Sequence, residues 1–475
     1  MVEALLIVPQ SPMDRYCVRD KGAMGFSKAG YIFPPYDSAM IAANIRDVAS
    51  VEILDGNAKN LSIEDIKRHV KRSNPEYVIF SNSTPTIDWD LNIAKMSKEV
   101  NPTITTITFG PHITALGDEV IGDCEYLDVA VINEQELTIR EIIESENVKN
   151  VKGTIIRERD RIINQGRRNP LKDFDKLHFP AHDLLELGLY KLPYAKRRHV
   201  TATMTSRGCP GKCIFCCSWL ISKEFHPRSP EHVLEELRFL SEELDVHEIK
   251  FWDDTFTYDM KRALSICNMI KSEKLDISWT CNTRIDRING ELLKAMKEAG
   301  CHTICLGVES GDDKVLKLIG KEITTSQIKG AFKCVKSVGL DTAGFFMLGH
   351  PGDTLETMQK TIDFAKILDP DYASFNIVTP FPGTPLFNMA EENGWLKTKE
   401  WSKYESTMYP VYEPEGVSRD VIWSMFNKAY KEYYISPKYI IKRLTKLRSL
   451  SDIGRDVSSF FGLLKMLAES KKRVK

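Results

Sequence analysis

An α/β chain is what the sequence predicts: a doubly wound parallel sheet at the N-terminus, a partial β/α barrel in the centre and a mainly helical C-terminal region. Three observations carry this expectation. Across residues 1–150 short apolar runs alternate with amphipathic stretches; across 201–390 the alternation returns with a polar or charged motif after each run; within 391–475 the apolar residues near the end fall at helical spacing. Alternating strands and helices build parallel sheets covered by helices, and ligands collect at the carboxyl ends of the strands. The 475 residues, 42% of them hydrophobic, suffice for two or three cores.

In the first region, residues 4–9 read as a strand, 38–47 as a helix, 51–54 as a strand and 62–72 as a helix capped by Ser62. Strands follow at 77–80, 104–109 and 129–132, separated by helices at 90–100 and 114–121. The loops after these strands are small and polar. Ser81, Asn82, Ser83 and Thr84 follow the third strand, Gly110, Pro111 and His112 the fourth, and Asn133 to Glu136 precede the last helix. Hydroxyl residues and glycine let backbone approach a flat ligand and a phosphate closely. Residues 151–200 read as a linker that begins with a hairpin, 153–157 against 161–164. His178 and His182, four apart beside Pro180, read as solvated or capping residues rather than a metal pair.

Cys209, Cys213 and Cys216, spaced C-x3-C-x2-C, open the central region. Three thiolates this close on one loop can hold three irons of a four-iron four-sulfur cluster and leave the fourth iron open. Zinc would need a fourth ligand, and Cys217, directly after Cys216, has difficulty closing the same tetrahedron. A disulfide framework is not expected in a chain of this length without a secretory segment. The remaining cysteines, scattered through apolar segments, read as buried structural thiols.

Further motifs follow the strands expected after residue 201. Asp253 and Asp254 come after the run 248–252, Arg284 and Asp286 after 277–279, and Glu309 and Ser310 after 303–306; the segments 345–352 and 381–385 close the series. The cysteine loop, with Phe215 before its third Cys, and these five ordered motifs resemble the radical S-adenosylmethionine (SAM) superfamily. The polar loops of residues 1–150 are similar to the cobalamin-binding domains fused to such enzymes, so the chain resembles the cobalamin-dependent (class B), methyltransferase-like radical SAM family. The resemblance implies a 4Fe-4S cluster on Cys209, Cys213 and Cys216, together with SAM and cobalamin.

On that resemblance, Asp253 and Asp254 accept from the SAM amine, Arg284 pairs with its carboxylate, Glu309 and Ser310 take the ribose hydroxyls, and Phe215 offers a face to adenine. The plainer alternatives are helix capping by one of the two aspartates and a structural ion pair of Arg284 with Asp286. The resemblance places Asn57, Ser81, Ser83, Thr84, Gly110, Pro111, His112 and Glu134 around cobalamin. Related domains often carry D-x-H-x-x-G, whose His binds cobalt from below; here Asp55-Gly56-Asn57 puts Asn57 at that position. His112 is then expected to hydrogen-bond the corrin edge or a loop carbonyl.

The implied activity is C-methylation of an unactivated sp3 carbon through a 5′-deoxyadenosyl radical and methylcobalamin. The alternatives are oxidative ring closure or rearrangement on the same cofactors, and a corrinoid or iron–sulfur binding protein without turnover. An external low-potential electron donor of flavodoxin or ferredoxin type is implied as partner, and a peptide, a lipid and a small molecule all stay open as substrate. With 65 basic against 66 acidic residues nothing draws the chain to nucleic acid. No apolar run reaches the roughly 18 residues of a membrane span, and a cytoplasmic enzyme is expected. The basic stretch 438–475, with Ile440, Ile441, Leu444 and Leu447 at helical spacing, reads as a solvated helix packed on the barrel, the alternative being contact with an anionic partner or membrane surface.

Overall fold

The computed structural model describes residues 2–19, 25–28, 30–145, 148–159 and 161–446. The first sheet is built from β1 (Ala4–Val8), β4 (Val51–Asp55), β5 (Tyr77–Ser81), β6 (Thr105–Phe109), β7 (Val129–Val131), β8 (Thr154–Glu158) and β9 (Arg161–Asn164), while β2 (Cys17–Val18) and β3 (Gly25–Phe26) form a separate short pair. Its order is β4-β1-β5-β6-β7-β8-β9, parallel through β7 and antiparallel beyond. β1 is buried at every position because helices cover both faces, which is why it reads as an unbroken apolar run. The strand order reverses between β1 and β5, and that crevice is where an open α/β sheet takes its ligand.

Local signals explain most of these elements. Ser62 caps helix Ile63–Ser73 in a reciprocal box with Asp65, and Asn74 ends it in the left-handed conformation. The helix expected at 114–121 spans Pro111–Asp123, because Pro111 supplies a preset first turn. The helix expected at 90–100 divides into Ile87–Asp90 and Asn92–Val100. The hairpin β8–β9 adds to the first sheet, which therefore runs on to Asn164 rather than ending near residue 150.

The second sheet holds six parallel strands in chain order. They are β10 (Val200–Thr203), β13 (Glu248–Phe251), β14 (Ser278–Thr283), β15 (Cys301–Glu309), β16 (Asp341–Leu348) and β17 (Tyr372–Ile377); β11 (Ser206–Arg207) and β12 (His226–Pro227) pair beside it. Helices packed outside this partial barrel share one core with it, centred on Trp279, Phe251, Phe346 and Phe375. His182 is not solvated. Its ring is buried between Thr201 Oγ1 (3.0 Å) and Glu236 Oε1 (3.2 Å), so it pins the linker to the barrel.

Helix Arg419–Tyr434 lays its apolar face on β17 and on helix Leu355–Leu368. Helix Pro437–Lys446 follows, with Ile440, Ile441 and Leu444 exposed; Leu447 and the rest of the basic stretch lie outside the described residues. Among the described residues no helix is long and apolar enough to cross a membrane.

Candidate cofactor site

The carboxyl ends of the barrel strands open on a cavity of about 1030 Å³ whose wall is mostly apolar. Cys209, Cys213 and Cys216 all border it, as do Phe215, Asp253, Asp254, Arg284 and Glu309. The turn after β13 fixes the cysteine loop. Asp254 accepts from the Gly208 amide (3.0 Å) and the Ser218 hydroxyl (2.8 Å), and that hydroxyl lies 3.2 Å from Cys216 Sγ. Asp253 is fully buried and its carboxylate is taken by Thr205 N (3.1 Å), Thr205 Oγ1 (2.7 Å) and Ser206 Oγ. Both aspartates thus anchor loops, and the carboxylate of Asp253 has little left for an amine.

Arg284 is a structural partner of Asp286, Nε to Oδ1 2.9 Å, and also donates to the Lys321 carbonyl (3.3 Å). Nη1 enters neither of those bonds and lies beside Gly211 of the cysteine loop, so the guanidinium keeps a donor on the cavity side. β15 is bulged between Gly307 and Glu309, and Glu309 has φ +68°, a conformation that side chains rarely adopt. That bulge turns the Glu309 carboxylate onto Lys321 Nζ (2.8 Å), with both groups nearly buried. A Cβ at Gly307 would collide with this pair. Ser310 departs from expectation: its hydroxyl faces Thr361 (3.4 Å) and accepts from the Asp312 amide, away from the cavity lining. Phe215 packs on buried His350, with ring centroids 5.4 Å apart.

At the first sheet, the carboxyl edge is polar and incompletely bonded. Gln10 Oε1 beyond β1, Ser81 Oγ and Asn82 Oδ1 at β5, His112 Nε2 beyond β6, and Asn133 Oδ1 and Gln135 Nε2 beyond β7 are buried without a hydrogen-bond partner among the described residues. Their neighbours are settled. Thr84 Oγ1 meets His112 Nδ1 (3.2 Å) and Ser83 Oγ meets Thr86 Oγ1 (2.8 Å). Burial lowers the His112 imidazole to about 4, so it is neutral. Gly110 has φ +144°, and a Cβ there would lie 2.5 Å from the Asn82 carbonyl. Asn57 is spent: its amide exchanges two 3.0 Å bonds with the backbone of Cys17. It fastens the β2–β3 segment with both its amide groups.

One ion-pair group joins the two edges. Arg207, two residues before Cys209, is buried against Glu136 and has Nη1 3.5 Å from Glu134 Oε2. Glu134 therefore faces the cysteine loop rather than an open ligand space. Trp401 of the C-terminal region meets His112 edge-on, with ring centroids 5.1 Å apart, and also packs on Phe387 and Tyr404.

Residues 203–365 match the radical SAM superfamily and residues 23–143 match the B12 binding domain. An uncharacterised methyltransferase of Pyrococcus horikoshii is 36% identical over 450 residues, 93% of this chain and 94% of that one. The chain belongs to the cobalamin-dependent radical SAM enzymes. The anaerobic magnesium-protoporphyrin IX monomethyl ester cyclase of Rubrivivax gelatinosus is 25% identical across 87% of this chain and 76% of its own. The fold matches a solved structure of the radical SAM methyltransferase TsrM from Kitasatospora setae, bound to cobalamin and a [4Fe-4S] cluster. The TM-score is 0.70, over 100% of both chains at 14% identity.

This radical SAM enzyme has residues that fit its family's groups. Among the described residues no three His, Cys, Asp or Glu side chains close on a single ion. A cubane, whose cysteine-bound irons sit at separate corners, asks for thiols set apart around a space, as these three are. Burial pushes the Cys216 thiol up to about 12 and raises Cys213, a cost of forming the thiolates that the positive charge of iron would offset. The orphaned amide and hydroxyl groups of the first sheet suit the neutral amide fringe of a corrinoid.

Three functional features escaped the sequence reading. Lys321 carries no motif signal, since it meets Glu309 only through the fold. The Arg207 link to Glu134 and Glu136 joins segments 71 residues apart. Lys250 was legible, as a lysine between Ile249 and Phe251 in a short buried strand, and it faces the cavity.

Proposed function

We propose that the chain is a C-methyltransferase acting on an sp3 carbon, with the substrate held in the barrel cavity between the two cofactor edges. The observation that carries this reading is the buried Arg207 group, which locks the loop bearing Cys209 to the carboxyl edge of the first sheet through Glu134 and Glu136. A methyl donor on one edge and a radical generator on the other must keep a fixed separation, and a buried ion pair holds register of this kind. The methyltransferase name of the relative that matches along 93% of the chain supports the same reading.

Cys209, Cys213 and Cys216 would hold the cluster. Arg284 would orient the SAM carboxylate, Glu309 its ribose, and Phe215 its adenine. Ser81, Gly110 and His112, with the orphaned amides beside them, would hold cobalamin, and Asn57, bonded to the Cys17 backbone, would offer it no imidazole. When bound, these groups supply reductive SAM cleavage and a transferable methyl group. The chain's own part is placement and exclusion of water by the apolar wall, because an unshielded carbon radical is quenched. The electron comes from an external low-potential donor.

Anaerobic turnover with methyl-labelled SAM and candidate substrates tests the reading. Methyl transfer consumes one SAM for the radical and one for the methyl, so 5′-deoxyadenosine and S-adenosylhomocysteine should form in about equal amounts, with the label in product. The cyclase relative favours a second outcome, ring closure on the same scaffold. 5′-Deoxyadenosine without S-adenosylhomocysteine, and a product that gains no carbon, would establish that one.

A further inference from the structure

Two lysines line the barrel cavity with no ion pair within 4.0 Å among the described residues, and they differ in their neutral partners. Lys28 is saturated: Nζ donates to Ser374 Oγ (3.0 Å), the Phe375 carbonyl (2.8 Å), Asn376 Oδ1 (2.7 Å) and Tyr430 OH (3.2 Å). It ties the N-terminal segment to β17. Lys250 is not saturated. Only 7% exposed on β13, it donates to Asn282 Oδ1 (2.8 Å) and to the Cys305 sulfur (3.5 Å), a weak acceptor whose thiol burial keeps neutral. An ammonium has three donors, and a buried cation with no counter-charge is costly unless a ligand supplies one.

Position adds to the argument. Lys250 lies three residues before Asp253 on β13, on the order of 10 Å deeper in the barrel than the loop that bears the cofactor motifs. Asn282 connects the two levels, because its amide nitrogen donates to the Asp253 carbonyl (3.2 Å) while its oxygen receives Lys250. Thr280 stands opposite Lys250 on β14, and Phe345 and Tyr372 add aromatic wall to the same cavity. We propose that Lys250 is the substrate anchor: it binds an oxyanion, carboxylate or phosphoryl, on an otherwise largely apolar substrate and so sets which carbon stands beneath the cofactor loop. This rests on the barrel cavity being the substrate chamber of the proposed methyltransferase.

The test uses full-length, cluster-loaded protein and three probes sharing one apolar body: 1-pyrenebutyrate, pyrenebutyl phosphate and the neutral 1-pyrenebutanol, followed by equilibrium dialysis. Wild type should bind at least one anion tenfold or more tightly than the alcohol, and the tighter anion identifies the oxyanion. Lys250→Gln should erase that preference and leave alcohol binding, iron content and SAM binding unchanged; Lys250→Arg should restore most of it. Equal affinities in wild type, no binding of any probe, or a preference that survives Lys250→Gln would each overturn the proposal. Weaker SAM binding in Lys250→Gln would also overturn it, by making Lys250 a cofactor contact. The wild-type comparison stands even where a variant fails to fold. None of these readouts involves cobalamin or methyl transfer, so failure of the methyltransferase reading leaves them untouched, and the reverse holds.

Discussion

The two strand edges that face each other in this molecule are finished in opposite ways. At the barrel edge the charged groups of the cofactor motifs are already bonded within the protein: Asp254 holds the cysteine loop, Arg284 holds Asp286, and Glu309 holds Lys321 around a cavity that stays open. At the first sheet's edge, apart from Glu134 and Glu136 on Arg207, neutral amides, a hydroxyl and an imidazole are buried and short of partners among the described residues, and Trp401 closes over His112. A preorganised charged site suits a zwitterionic cosubstrate that comes and goes with each turnover. An edge of orphaned amides and hydroxyls suits a large neutral-fringed cofactor that stays, since each unmet group costs about 1–3 kcal/mol until the ligand meets it.

The sharpest break between the edges comes from removing one ligand set. Cys209→Ala, Cys213→Ala or Cys216→Ala should abolish SAM cleavage and strip most of the iron, while hydroxocobalamin loading of the same full-length protein persists. Cys217→Ala should retain both. Iron analysis, cleavage assays and visible spectra decide it, and retained cleavage in all three single variants would end the cluster assignment. Gly110→Val is the converse. Its side chain cannot fit beside the Asn82 carbonyl, so cobalamin content should fall at least tenfold with iron unchanged. Bound Co(II) in wild type should show no nitrogen splitting, because Asn57 is committed to Cys17.

The sequence reading reached these edges unequally, and the reason is range. Strand and helix alternation, the Ser62 cap and the C-x3-C-x2-C loop are local, and each stands where it was expected. What decides the roles of Asp253 and Ser310 is not local. The acid is claimed by Thr205, 48 residues away, and the hydroxyl by Thr361, 51 residues away. Lys321 and Arg207 are illegible for the same reason, being ordinary charged residues until the fold delivers Glu309 and Glu136. His182 misled because a histidine beside proline in a linker carries no sign of the Glu236 that buries it. Lys250 could be read, since a charge in a strand buried on both faces calls for an explanation.

A smaller effect separates pairing from binding at the barrel edge. Lys321→Met leaves Glu309 buried without its cation and should destabilise the fold by about 3–5 kcal/mol, the usual result of halving a buried pair. Arg284→Ala breaks a pair whose aspartate stays in contact with water, and it should cost less stability than Lys321→Met. It should instead weaken SAM binding by roughly 1.5–3 kcal/mol with iron content preserved, the range for one charge-assisted hydrogen bond. Denaturant melts and SAM titrations separate the two, and unchanged SAM affinity would make Arg284 purely structural.

The mildest comparison is of pH, and here the two edges should behave alike. Asp55 closes β4 in the first sheet and Asp353 follows β16 in the barrel; burial pushes each carboxyl up to about 6 from an ordinary 3.8. Asp55 accepts from Ala58 N and Tyr190 OH, and Asp353 from Gly349 N, His350 N and Thr357 OH, contacts that lower each value without overcoming burial. A folded pKa above the unfolded one means the native state holds protons that the unfolded chain has released. The stability from each group is therefore complete below about pH 4 and lost as pH rises through about 6, a ceiling of roughly 3 kcal/mol apiece. Asp55→Asn and Asp353→Asn abolish the titration, so each variant should lose less stability than wild type between pH 4.5 and 7.5, by about 2 kcal/mol. Guanidinium melts of the cofactor-free protein at the two pH values measure it. Identical losses in wild type and Asp55→Asn would mean that water reaches the first edge, and the contrast drawn between its dry orphaned groups and the barrel would fail there.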